Sequence, residues 1–382
     1  MSDAEKRPKG GNTKLKHPPK GKRSTTKNRG MIRSNKEIWE ETMKYITFTV
    51  PCYNSAAYMH KCIDSLLTIG RDAEIIIVDD GSSDNTGIIA DGYAEKYPNI
   101  VRVIHKENGG HGSGVNAGLE AAKGLYFKVV DSDDWLNEKS LKKLLNTIKL
   151  HYAAGMNADL YFSNYVYEHV EDNTSYSVDY KNVFPQKKFF TWKDTGSFRP
   201  SQYITMHAML YKTEILRKSG LKLPLHTFYV DNIFIFHPLP YVETMFYLNT
   251  DLYRYFIGRS DQSVNQEIII KRIDQQIFVT KWVAEDYLKL QPMIKSRKLK
   301  KYMLSHISIL VTICSVFLTL KGTPDALIKK RQLWDYFKHL DKKLYNKIVY
   351  SSVAGLTNIP GKGGRFLVKN GYKITRKIFK YN

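Results

Sequence analysis

Three carboxylates crowd the stretch VVDSDDWL, Val129 to Leu136. Asp131, Asp133 and Asp134 lie within four residues, directly behind two β-branched apolar residues. Like charges that close repel one another, so a fold keeps them on an open, solvated turn or where something positive sits among them. Hard divalent cations are held by one or two carboxylates together with substrate phosphates. A bound cation accounts for the cluster better than a solvated turn, because its charge offsets the repulsion.

Three more stretches stand out. In IIIVDDGSSDNT, Asp79 and Asp80 end an apolar run. An Asp-Gly turn with Ser83 or Asp84 capping the next helix explains Ser82 to Asn85, but not two acids behind four apolar residues. VPCYN, Val50 to Asn54, closes another apolar run, and ENGGHGSGVNAG, Glu107 to Gly118, is rich in glycine.

The elements that position these stretches alternate. Strands are predicted at 45–50, 74–80, 101–105, 125–130 and 159–170, with helices at 55–70, 84–97, 112–124 and 138–152. The run at 74–80 is too apolar for a one-faced sheet. Strand–helix alternation at this spacing gives a mostly parallel, doubly wound α/β sheet flanked by helices. Each unusual loop then falls at or beyond the carboxyl end of a strand, where ligands bind in such sheets.

Beyond residue 175 the pattern loosens. Aromatics, prolines and histidines are dense through 184–256, as in a substrate-facing region, and 266–350 reads as helical. Residues 304–320 hold no charged residue but carry a stripe of Ser305, Ser308, Thr312, Ser315 and Thr319. A membrane span wants roughly 20 apolar residues, so this segment is predicted as a helix buried against other helices, with insertion the alternative. His207 and His237 lie in apolar surroundings, where a satisfied core histidine is the commoner case. His237 follows Asp231 by only six residues.

VPCYN, IIIVDDGSSDNT, ENGGHGSGVNAGLEAAKG and VVDSDDWL, in that order, resemble the nucleotide-sugar half of glycosyltransferase family 2, which has the GT-A fold. YVDN at 229–232 is similar to the family's acidic acceptor-side motif, and YFIGRSDQSVN at 255–265 to the segment that closes over the donor. The resemblance implies an inverting transfer of sugar from a UDP-sugar to an acceptor hydroxyl, dependent on Mn2+ or Mg2+. It places Pro51 and Tyr53 in the nucleoside pocket and Asp80, or else Asp79, on the uracil edge. Gly110 and Asn116 belong to the donor loop. Asp131 lies near the ribose or the metal, Asp133 binds the metal, and Asp134 is nearby. Asp231 is the general base. Two positions depart from the family pattern: Val115 stands where an Arg is frequent, and Val230 where a Glu is usual. The implied organisation is a disordered basic tail at 1–36, a GT-A domain at 37–265 (nucleotide half 45–136, acceptor half 137–265), a helical region at 266–360 and a basic tail at 361–382.

Charge bears on partners. Of the net charge of +22, only +5 belongs to residues 37–360. Lys6 to Lys36 holds twelve Lys or Arg and no acid, and Gly361 to Asn382 holds seven and none. A nearly balanced body with basic ends suits an anionic surface. The expectation is a cytoplasmic enzyme, peripheral at the inner face of the cell membrane, acting on a glycan, lipid-linked or teichoic-acid-type acceptor. Three cysteines without a CxxC pair argue against a disulfide framework or zinc site, and no apolar leader follows the basic N-terminus. Two rivals remain. A dinucleotide enzyme could use Gly112 to Ala117, a G-x-G-x-x-A pattern, although the first βα turn has no glycine. A nucleic-acid-binding protein could use the basic tails, although an acidic rim repels phosphates, so no nucleic-acid partner is expected.

Overall fold

The computed structural model describes residues 43–169, 172–199, 202–258 and 265–379. The N-terminal basic segment 1–36, the start of the expected catalytic domain at 37–42, and residues 259–264 of the closing segment lie outside the described residues.

The amino half alternates as its apolar runs require. β1 (Ile46–Cys52), β2 (Ala73–Asp79), β3 (Val101–His105) and β4 (Tyr126–Val129) pair in parallel in the order β3-β2-β1-β4. Every residue of β1, β2 and β4 is buried, which is why both faces read as apolar. The crossovers are α1 (Met59–Leu67), α2 (Thr86–Lys96) and α3 (His111–Ala121). α1 is shorter than its predicted span of 55–70. Its buried face is Met59, Cys62, Ile63 and Leu66, at helical spacing. The cap of α2 also differs in detail. Asn85 precedes the helix, while the Asp84 carboxylate accepts the Thr86 N–H at 2.9 Å and its hydroxyl at 2.5 Å.

Glycine lets α3 lie directly on β1. A methyl group at Gly118 would overlap the Thr49 side chain, and one at Gly114 would press on the Pro51 ring at 2.9 Å. The glycines at 112–118 thus serve close packing within a helix. The dinucleotide alternative would need them in the turn that opens off a strand.

Beyond β4 the sheet becomes mixed. A two-residue strand, β5 (Trp135–Leu136), precedes α4 (Glu138–Ala153), which Asn137 caps through the Ser140 N–H at 3.0 Å. β6 (Leu160–His169) pairs antiparallel with β7 (Thr174–Val178) on one side. A short β8 (Phe189–Phe190) and then β9 (Met209–Lys212) follow. β9 inserts antiparallel between β4 and β6, and β10 (Met245–Ile257) returns parallel to β6. These later strands lie where the sequence pattern had loosened, because their neighbours come from distant parts of the chain. α5 (Thr213–Ser219) and α6 (Asp231–Phe236) fill the long connection. All four residues from Ile233 to Phe236 are buried, so α6 is a core helix that plants Asp231 at its half-buried start.

From Gln266 the chain is helical: α7 (Gln266–Lys271), α8 (Ile273–Leu290), α9 (Arg297–Lys321), α10 (Pro324–Leu340), α11 (Lys342–Ser351), α12 (Ala354–Thr357) and α13 (Gly361–Phe379). α9 contains the uncharged segment. By length and composition it could cross a membrane, yet 61% of its apolar window is buried inside the protein. Its small-residue stripe receives neighbours. Trp334 Nε1 donates to Ser315 Oγ at 3.0 Å, and Lys330 Nζ donates to Thr319 Oγ1 at 3.1 Å. Residues 361–379, read from composition as a tail, form α13 instead. Its glycines and lysines gave it the composition of a basic tail, and Val368 and Tyr372 at a spacing of four dock it against the bundle.

A single methyl group should show how tight the α3–β1 contact is. Gly118→Ala should destabilise the fold by about 1–3 kcal/mol through overpacking, read as a lowered midpoint in chemical denaturation with an unchanged slope.

Candidate active site

The loops at the carboxyl ends of β1 to β4 form one rim, and hydrogen bonds tie each to the next. Between the β1 and β2 loops, the Asn54 N–H donates to Ser82 Oγ at 3.0 Å and the Ser83 N–H to Asn54 Oδ1 at 2.9 Å. Asn54 holds a φ of 50° to make this turn, a conformation asparagine tolerates better than most residues. The β1 loop also meets the acidic turn, where Ser55 and Ser132 hydroxyls lie 2.8 Å apart.

Asp80 joins the β2 end to the glycine loop. Its buried carboxylate accepts the Gly109 N–H at 3.0 Å, the Gly110 N–H at 2.7 Å and Lys106 Nζ at 2.6 Å. Asp79 turns the other way, accepting the Ser82 N–H at 3.1 Å and facing His105 Nδ1 at 3.1 Å. Both acids, expected at the base edge, are engaged with neighbouring loops of the protein. Two acids in succession on a strand point to opposite faces, and each has found a loop to hold. Asn116, also expected among donor contacts, clamps the backbone of Leu223 from both sides, at 2.8 and 2.9 Å. Pro51 is buried beneath α3, whereas the Tyr53 ring stands 54% exposed on the rim. Gly110 holds φ 80°, a conformation that favours glycine, and a Cβ there would press on the His226 backbone, with its Cα 3.2 Å away.

The acidic turn is the centre of the site. Asp131 Oδ1 receives His111 Nε2 at 2.8 Å, and Asp131 Oδ2 lies 3.7 Å from His207 Nε2. Burial alone would raise the Asp131 pKa, but the hydrogen bond and charge of His111, then those of His207, outweigh it and hold it well below the usual carboxylate range. His111 shows the reciprocal effect. Burial would lower it, yet Asp131 prevails and raises it. Asp134 is fully buried, accepting Tyr253 Oη at 2.6 Å and the Phe256 N–H at 2.8 Å. Its pKa is pushed well up, first by burial and then by the charges of Asp133 and Asp131. Asp133 lies half-buried on the same turn.

His207 is the residue that sequence reasoning placed in the core. It belongs to this site. Its ring packs against Tyr253 and Tyr255, with centroids 4.6 and 4.8 Å away, and its buried Nδ1 has no hydrogen-bond partner among the described residues. Beneath it, buried Lys128 donates to the carbonyls of His207 and Met209 at 2.7 and 3.1 Å, and burial lowers its pKa to about 7. The alternation Tyr253–Arg254–Tyr255 on a strand puts both tyrosines on one face, and that was the available signal. His237 stays out of the site. It pairs with Asp286 at 2.9 Å and with the Ser219 carbonyl at 2.8 Å.

Asp131, Asp134 and His207 each bring one ligand atom within 4.8 Å of the others. Burial first, and then the charges of Asp133 and Asp131, disfavour the ionised form of Asp134, and a cation among these groups would offset both. An oxygen-rich donor set with one imidazole fits a hard or borderline divalent ion. The residues that converge fit a divalent ion such as Mn2+ or Mg2+; His207 joins the expected Asp131 and Asp134, whereas Asp133, expected as the metal ligand, is not among the converging groups.

Asp231 faces this cluster. Its pKa is raised, first by burial, with His207 and His111 opposing and the Asp131 charge adding. The loop before it is strained. His226 and Tyr229 sit at φ 49° and 66°, and the His226 N–H donates to the Gly109 carbonyl at 2.6 Å. This bond carries the acceptor-side loop onto the glycine loop.

Comparison with known proteins agrees with this geometry. Residues 47–220 match the family described as Glycosyl transferase family 2. The EpsH protein of Bacillus subtilis (strain 168) is 30% identical over 240 residues, covering 61% of this chain and 64% of that one. Glycosyltransferase GlyA of Streptococcus pneumoniae is 30% identical over 227 residues, 57% of this chain and 31% of its own. Minor teichoic acid biosynthesis protein GgaB of Bacillus subtilis is 36% identical over 116 residues, 29% of this chain and 13% of its own. The chain therefore spans less than two thirds of the length of these relatives. Among solved structures, S. aureus TarS 1-349 in complex with UDP-GlcNAc superposes with a TM-score of 0.60 at 19% identity, covering 87% of this chain and 92% of that one. The fold is GT-A, with a helical C-terminal region that follows the sheet as expected.

Asp80→Ala tests the loop ties. Removal leaves Lys106 and two N–H groups without their acceptor, which costs about 1–3 kcal/mol per buried group left unmade. Thermal unfolding should move down, and protection of the Gly109 and Gly110 amides from hydrogen exchange should fall with it.

Proposed function

We propose that this chain is an inverting, metal-dependent glycosyltransferase that moves a sugar from a UDP-sugar to an acceptor hydroxyl. The observation that carries the reading is the buried acidic turn of a family 2 domain, with His207 among its carboxylates and Asp231 opposite. A cation held by Asp133, Asp131, Asp134 and His207 would supply Lewis-acid stabilisation of a diphosphate leaving group.

The chain's own residues supply the rest. Asp131, bonded to His111, raises the imidazole's pKa and so favours its protonated form beside the acidic turn. The Tyr53 ring offers a flat exposed face for a base. Tyr253 and Phe256 fix Asp134, and through it the turn, before any donor arrives. Asp231 takes the proton from the acceptor hydroxyl, a role worth typically ~10²–10⁴-fold in rate. One base on the face opposite the leaving group gives inversion at the anomeric carbon. The UDP-GlcNAc complex of TarS and the teichoic acid role named for GgaB support a UDP-sugar donor and a cell-surface polymer or lipid-linked acceptor. The basic ends of the chain suit a position at the inner, anionic face of the cell membrane.

A panel of nucleotide sugars, assayed for release of free nucleotide with and without added acceptor, tests the reading. Release from a UDP-sugar that rises with added Mn2+ or Mg2+ and stops in excess EDTA is the expected result; full activity in EDTA would overturn the metal role. Asp231→Asn should abolish transfer while UDP binding persists in calorimetry. Its thermal midpoint should stay level or rise at neutral pH. A raised folded-state pKa means that ionising Asp231 weakens folding, and asparagine removes that cost. In the wild type the base must be deprotonated, so kcat/KM should fall with acidification at a pH above the ordinary aspartate pKa of about 3.9.

A further inference from the structure

Helix α13 presents an apolar stripe to solvent. Its docking edge is Gly364, Val368 and Tyr372, spaced by four. Tyr372 meets the Phe317 ring edge-on at 5.7 Å and shares a 3.1 Å hydrogen bond with Gln266. At 3.6 residues per turn, Phe366, Leu367 and Ile374 gather on the side turned away from that edge. They are 68%, 58% and 59% exposed. Lys362, Arg365, Lys369 and Lys373 run along one border of this stripe. Just before it, Tyr350, Val353 and Leu356 are exposed as well.

Soluble surfaces carry single exposed apolar residues as a matter of course, but a concentration of them marks an interaction site. The charge says what covers this one. From Lys342 to Asn382 there are ten Lys or Arg and no Asp or Glu. A second copy laid on this face would set basic residues against basic residues. An anionic lipid surface complements them, and an amphipathic helix with a basic border and Phe and Leu on its apolar side is suited to lie in the plane of a bilayer interface.

We propose that α13 docks this protein onto an anionic membrane leaflet, with Phe366, Leu367 and Ile374 entering the boundary between headgroups and acyl chains. This sharpens the peripheral location proposed above, from general attraction of basic ends to one amphipathic helix. It is independent of the transfer chemistry, since binding is measured with no donor present.

Flotation of the full chain with vesicles tests it. Phosphatidylcholine vesicles containing phosphatidylglycerol should carry the protein up the gradient, and vesicles of phosphatidylcholine alone should carry far less. Phe366→Ser/Leu367→Ser/Ile374→Ser should weaken binding to the anionic vesicles by about tenfold or more at equal ionic strength, given the apolar area withdrawn. The three positions are exposed, so circular dichroism and the thermal midpoint should stay as in the wild type. Lys362→Gln/Lys369→Gln/Lys373→Gln should narrow the preference for anionic over neutral vesicles. Three results would overturn the proposal. The first is a wild type that does not float with either vesicle. The second is a serine variant that folds and binds as well as the wild type. The third is a wild-type oligomer on size exclusion that the serine variant dissolves while vesicle binding is unchanged, which would assign the face to a second copy of the chain.

Discussion

Asp131, Asp133 and Asp134 have to share one turn at the end of a fully buried strand, and the surrounding structure is arranged to make that tolerable. Uncompensated carboxylates in a dry site would take up protons. Asp134 moves in that direction, while Asp131 is held ionised by two histidines. The turn is held from three sides: by Ser55 from the β1 loop, by His111 from the start of α3, and by Tyr253 and Phe256 from the last strand. Each comes from a different part of the chain, so the turn has its geometry only when the sheet is complete.

The rim loops are joined by the same means. Asp80 holds the glycine loop, the glycine loop holds the His226 loop, and that loop leads into Asp231. Asp231 and the acidic turn, carried on separate elements, are thus connected through a chain of hydrogen bonds. Such connection preorganises charged groups before substrate arrives, which is where much of enzymatic rate enhancement originates. The long β10 contributes through irregularity. Its register shifts between Leu248 and Asp251 and again before Tyr253, and bulges of this kind re-aim side chains beside active sites.

The helical C-terminal region has a different logic. α9 is apolar enough to be mistaken for a span, but its hydroxyl stripe accepts Trp334 and Lys330 from α10. Small residues allow the close approach, and the polar atoms they expose are satisfied across the interface. Beyond this core the chain ends in basic, amphipathic helix, so the region joins a packed interior to a charged surface.

The order of the four rim stretches, the parallel amino half and the Asp131–Asp134 cluster were legible in the sequence. They depend on local pattern: apolar runs of strand length, helical spacing such as Met59–Ile63–Leu66, and acids placed directly after β-branched residues. The same local signals could not show where a side chain turns once its strand is placed. Asp79 and Asp80 read as ligand groups, and the fold also gives their oxygens to Ser82 and the glycine loop. His207 read as a core histidine, and antiparallel β9 delivered it beside Asp131. Tyr253 reaches Asp134 across 119 residues of sequence, and no spacing rule encodes that distance. The sequence determined which elements form and which residues can carry charge at a strand end. Only the tertiary structure decided which of those charges meet, because mutual placement depends on strands that pair far along the chain.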